Sequence, residues 1–97
     1  MKSGIALIQE EREQQATREH FSAEHDSQWE SGELRRAAVA YLLANDVPLN
    51  ITEHQALFWW PWDLFWWKPK DKISNLVRAG ALIAAEIDRL QELEKSK

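Results

Sequence analysis

Seven of the ten residues from Phe58 to Trp67 are aromatic, and they include five of the six tryptophans in the chain. Pro61 interrupts the run, and a helix rarely continues through the residue before a proline. The run therefore reads as a loop between helices. An indole is large and carries one N–H donor, so burying it needs both space and an acceptor. Five of them exceed what a short loop needs for anchoring. In a chain of 97 residues a single thin core must supply the space, because a domain this small buries only about 60–65% of the surface its unfolded chain exposes. One domain spanning 1–97 is expected.

The rest of the pattern is helical. Ser3 is a candidate cap for a first helix running to about His20, with acids early in it, and Ile5 and Ile8 begin an inward stripe that continues through Arg12, Gln15 and Glu19. Ser31 or Gly32 precedes a second helix from Glu33 to about Asn45, with Leu34, Ala37, Ala38, Tyr41 and Leu42 on one face. Thr52 to Gln55 matches a capping box and opens a short third helix stopped by Pro61. Asp71 caps a fourth, running to about Glu94. No alternating strand pattern exceeds four residues. The expected fold is all-α, a small bundle of three to four helices with a Trp-rich loop.

The fourth helix carries a stripe of Ile73, Leu76, Val77, Gly80, Ile83, Ala84, Ile87 and Leu90. Leu82 and Leu93 lie beside it, and Ala79, Ala81 and Ala85 lie between. This apolar arc is too wide for one contact face. It suits either the central helix of a monomeric bundle or the seam of a homodimer, and pairing gives a small chain more core.

Composition removes whole classes of function. No cysteine is present, which excludes a disulfide scaffold, a thiolate metal site and a cysteine nucleophile. Three glycines are too few and too scattered for a phosphate-cradling loop. A net charge of −4 has the wrong sign for general nucleic-acid binding. The charge is uneven, with residues 1–33 at −5 and residues 68–97 at +2. No apolar stretch approaches the roughly 20 residues of a spanning helix. Ile5 to Ile8 is too short for a signal-peptide core. A soluble cytoplasmic protein is expected, with no membrane and no cofactor.

The basic excess starts with Lys68, Lys70 and Lys72, directly after the aromatic run. An indole face beside lysines suits a flat anionic ligand, since stacking holds the ring and ammonium groups hold phosphates. Trp62 and Trp67 are the candidate stacking rings, whereas Trp59 and Trp66, among apolar neighbours, are assigned to the core. Lys68, Lys70 and Arg78 are the candidate phosphate ligands, assisted by Arg12. Pro61 and Pro69 stiffen the loop. The same patch also suits a partner protein, because Trp and Arg dominate interface hot spots.

Between the first two helices, His25, Asp26 and Glu33 offer a different chemistry. Carboxylates accept well from vicinal diols, so these three are candidates for ribose hydroxyls, and His25–Asp26 can equally organise the loop by capping. A metal site is not supported: His20 and His25 are five apart and miss the i, i+4 alignment. Glu10 and Glu13 fit one half of the paired E-x-x-E and E-x-x-D motifs of helical nucleotide pyrophosphohydrolases. Glu86 and Asp88 are two apart and miss the other half.

Several pieces, in order, carry a family resemblance: Glu11-Arg12, Glu24-His25-Asp26, Gly32-Glu33-Leu34 with Ala37-Ala38 and Tyr41, Trp60-Pro61-Trp62, Trp66-Trp67-Lys68-Pro69, and the run from Arg78 to Leu90. They resemble a widespread family of short proteins encoded by phages and prophages, without an assigned function. The likeness covers most of the chain and departs at Trp29, where relatives often carry histidine. It implies a phage-encoded accessory protein in the cytoplasm of the infected host. Proteins of similar size and style sequester nucleotide immune signals of bacterial defence systems, such as cyclic ADP-ribose-type molecules and cyclic dinucleotides. The leading expectation is therefore a dimeric anti-defence protein that binds an adenine-nucleotide-like signal without cleaving it. The alternatives are an inhibitor that docks on a host protein through its Trp-rich patch, and a magnesium-dependent nucleotide pyrophosphohydrolase.

Overall fold

A computed structural model describes residues 1–18, 32–44 and 52–95. Among these residues the chain is all-α. Four helices occur in the order α1 (Gly4–Arg18), α2 (Glu33–Leu43), α3 (Glu53–Leu57) and α4 (Lys72–Lys95), with one 3-10 turn at Leu64–Trp66 between α3 and α4. His25, Asp26 and Glu19 lie outside the described residues.

The helix starts follow from local chemistry. The Ser3 Oγ accepts from the Ala6 N–H at 3.1 Å, although no acid occupies the first turn of α1, contrary to expectation. α2 starts without a side-chain cap: Gly32 supplies the turn in the left-handed region, at φ 83°, where a side chain is disfavoured. At α3 the capping box is complete, with Thr52 Oγ1 accepting from Gln55 N and Gln55 Oε1 accepting from Thr52 N at 2.7 Å. Asp71 opens α4 by accepting from the Ser74 N–H at 2.8 Å and the Ser74 hydroxyl at 3.0 Å. These bonds hold its carboxyl below the usual aspartate range, the backbone bond first and the hydroxyl second.

α4 is the spine. Arg35 reaches Glu86 and Tyr41 reaches Arg78, so α2 runs antiparallel to it. Ile8 sits over Gly80 and Arg12 reaches Asp88, so α1 runs along it in the same direction. The α2–α4 contact is built from small residues: Ala37, Ala38 and Ala40 meet Ala79, Leu82 and Ala85, with Leu34, Tyr41 and Trp60 completing the buried cluster. Alanine on both sides lets the backbones approach closely and lets propensity and packing agree. Leu42, expected on this face, is instead exposed, and Ala40 takes its place.

The stripe of α4 does not face α2. The buried positions of α4 are Asn75, Ala79, Ala81, Leu82, Ala85, Glu86 and Arg89. Ile73, Leu76, Ile83 and Ile87 are exposed, at 67, 55, 46 and 50%. Small residues beside the stripe, not the stripe itself, seat the second helix. α1 covers one edge: a Cβ added at Gly80 would lie 2.6 Å from Ile8 Cδ1, so any larger residue there must displace the Ile8 side chain. Ile5, expected inward with Ile8, is exposed. Arg12 and Gln15 do turn inward, Gln15 being buried and donating to Glu11.

An ion cluster ties the start of α2 to α4, with Glu86 and Arg89 buried and Arg35 exposed. Glu86 accepts from Arg89 Nε at 2.6 Å and from Arg35 Nε at 2.5 Å. Burial is the largest single influence on its pKa and raises it. The hydrogen bonds and charges of Arg89 and Arg35 together outweigh that and hold it below the ordinary glutamate value. Among the described residues no helix is long and apolar enough to cross a membrane.

Candidate functional site

The aromatic loop is mounted on the junction of α2 and α4. After α3 the chain turns through Phe58 and Trp59, with Trp59 N donating to Ala56 O and Trp60 N to Leu57 O. Trp60 is driven inward, where its Nε1–H finds the Asp63 carbonyl at 3.0 Å. It stands edge-on to Tyr41 at 5.5 Å and to Trp62 at 5.3 Å, and tilted against Trp67 at 5.0 Å. Tyr41 and Trp67 lie 4.9 Å apart. Edge-on and tilted pairs are the favoured arrangements of such rings, each contributing about 0.5–1.5 kcal/mol beyond area burial.

Asp63 caps the 3-10 turn by accepting from Phe65 N at 2.8 Å. This short turn decides which rings face out. Phe58, Trp59, Leu64, Phe65 and Trp66 are exposed, Phe65 and Trp66 at 67 and 52%. Trp62 and Trp67 are partly buried and packed against the core. The expected roles are thus exchanged. Trp59 and Trp66, expected in the core from their apolar neighbours, are exposed; Trp66 is carried outward by the capped turn. Trp62 and Trp67, the expected stacking rings, pack beneath. The Trp67 indole N–H is itself buried and has no hydrogen-bond acceptor among the described residues.

The exit of the loop is held by three side chains. Tyr41 OH accepts from Lys68 N at 3.2 Å and from Arg78 Nη1 at 3.3 Å. Arg78 also donates to the Lys68 carbonyl and lies over the Tyr41 ring, with Cζ 5.6 Å from its centroid. Asn75, fully buried, accepts from Lys70 N at 2.7 Å and donates to Lys70 O at 3.2 Å. Tyr41 is the hub that sequence reasoning did not place in the site. Its signal was a single hydroxyl on an otherwise alanine-lined face, which a buried position must satisfy.

Three of the predicted residues, Trp67, Lys68 and Arg78, therefore meet at Tyr41, and Trp62 joins them through Trp60. The Lys68 ammonium lies 4.8 Å from the Phe65 ring centroid, on the exposed side. Lys70 is exposed, while its backbone is clasped by Asn75. Arg78, expected to neutralise phosphate, is engaged in holding the loop. Arg12 is not part of the group: it pairs with Asp88 at 3.4 Å, ten residues beyond Arg78, about 15 Å along the axis. Glu33 opens α2 about 12 Å from Tyr41 along that helix, and its Oε1 is buried without a hydrogen-bond partner among the described residues. His25 and Asp26 lie outside the described residues.

Glu10 and Glu13, the candidate half-motif for magnesium, are engaged locally, Glu10 with Lys2 at 2.6 Å and Glu13 with Gln9 at 3.4 Å. Among the described residues no group of three or more His, Cys, Asp or Glu side chains is placed to hold a metal ion. No family model, curated protein or solved structure matches the chain.

Proposed function

We propose that the protein acts by binding another protein, and that its working surface is the outer half of the aromatic loop. One observation carries this reading. Phe58, Trp59, Leu64, Phe65 and Trp66 are all exposed within nine residues, on a backbone fixed by the Asp63 cap and by the Tyr41, Asn75 and Arg78 bonds. Contiguous exposed apolar side chains of this size mark interaction sites. A backbone already ordered lowers the entropy lost on association. Phe58 stacks edge-on with Trp59 at 5.3 Å and Phe65 with Trp66 at 5.1 Å, so the rings form two paired wedges suited to apolar pockets on a partner. Under the phage resemblance that partner is a host enzyme.

The test uses the full chain as bait beside the double variant Phe65→Ala/Trp66→Ala. One host protein retained in stoichiometric amount, bound again when purified, and lost with the double variant supports the reading. A partner held equally by both forms, or none held by either, counts against it.

A second reading keeps a nucleotide immune signal as the ligand. The Lys68 ammonium over the Phe65 ring supports it, because it joins a cation to an exposed ring face. The stacking role then moves from Trp62 and Trp67 to Phe65 and Trp66, and Lys70 assists Lys68. Calorimetry with ADP-ribose derivatives and cyclic dinucleotides would show heat that disappears in Trp66→Ala and falls in Lys68→Ala. Silence across that panel would remove this reading and leave the first standing.

A further inference from the structure

The exposed side of α4 has a regular spacing that the loop surface does not explain. Ile73, Gly80, Ile87 and Glu94 are seven residues apart, and Leu76, Ile83 and Leu90 follow each of the first three by three. This is the a/d spacing of a coiled-coil seam, sustained over three heptads. α2 packs on a different side, through Ala79, Leu82, Ala85 and Glu86, and α1 runs along the flank from Gly80 to Asp88. Ile73, Leu76, Ile83 and Ile87 are left half to two-thirds exposed.

We propose that this stripe pairs with the same stripe of a second copy, antiparallel, about a two-fold axis that crosses α4 between Ala81 and Leu82. In that register Ile73 layers with Leu90 of the second copy, Leu76 with Ile87, and Gly80 with Ile83. Every layer is apolar, and each a position meets a d position, as antiparallel packing requires. At the Gly80 layer Ile8 of the same copy occupies the place of the missing side chain, and Ile83 of the second copy packs against Ile8 there.

Charge sets the direction. The start of the stripe holds Lys68, Lys70 and Lys72 with Asp71, and its end holds Glu92 and Glu94 with Lys95, so the start is net positive and the end net negative. Parallel pairing would set Glu94 against Glu94 and lysine against lysine. Antiparallel pairing brings Glu94 of one copy over the lysine end of the other, and the helix dipoles also oppose. The seam itself uses none of the outer rings Phe58, Trp59, Phe65 and Trp66.

The experiment uses the full chain. Sedimentation equilibrium should give twice the 11.4 kDa chain mass. Ile83→Glu should weaken association by about a hundredfold or more, because it places a charge in the seam, while far-UV circular dichroism stays unchanged. Phe65→Ala/Trp66→Ala should leave the dimer intact. Direction is read by disulfide trapping, which is clean because the chain has no cysteine. Leu76→Cys and Ile87→Cys should cross-link when mixed, and neither should cross-link alone. A monomer at every concentration, a dimer indifferent to Ile83→Glu, or self-cross-linking of either single variant would overturn the proposal.

Discussion

Trp60 and Trp66 are six residues apart and have opposite fates. Trp60 has an acceptor for its N–H three residues on and rings on several sides. Trp66 has Phe65 and water. Trp60→Ala should therefore cost about 3–5 kcal/mol, a large share of the stability of a domain this size. Trp66→Ala should stay within about 0.5 kcal/mol. Urea titration followed by circular dichroism checks both, and a comparable loss for the two would contradict the division of the rings. Apolar neighbours in sequence pointed to Trp66 as core. They misled because neighbours along a capped turn are not neighbours in space. A better signal was the availability of an acceptor near each indole.

Among the elements, the caps were legible from the chain: Thr52 with Gln55, Asp71 and Ser3 all act where short polar side chains before a helix should act. The width of the apolar arc on α4 was also legible. The 3-10 turn was not, because three residues leave no periodicity to read. Nor was the seat of α1, which depends on the missing Cβ of Gly80 against Ile8. Gly80→Leu should force α1 off this seat. Overpacking of this kind costs about 1–3 kcal/mol, and the displaced helix should become the first site of tryptic cleavage, at Arg12. Cleavage that begins instead in α4 would show that α1 is held by something other than this fit.

For the molecule as a whole, the all-α class followed from the periodicity, while the polar cluster of Glu86, Arg89 and Arg35 did not, because Glu86 was legible only beside Asp88, two residues away, and its partners come from another turn and another helix. The cluster makes stability depend on acid. The folded-state pKa of Glu86 is below its ordinary value of 4.5, so the unfolded chain binds a proton more readily than the folded one. Its contribution is whole above that value and is lost as the pH falls through the lowered folded pKa. Thermal melts of the parent chain should fall across that window more steeply than those of Glu86→Gln. The variant starts lower at neutral pH, because two guanidinium groups lose their carboxylate. Parallel slopes would show that Glu86 does not set the acid limit.

The grip on the loop exit also has a mechanical side. Asn75 and Arg78, one turn apart on α4, hold Lys70 and Lys68, while Tyr41 of α2 holds the same Lys68 from across the junction. A pull on the outer rings is therefore delivered to the α2–α4 joint and not absorbed in slack chain. By the same linkage, any slide of α2 along α4 would re-aim the rings, as a crank turns its handle.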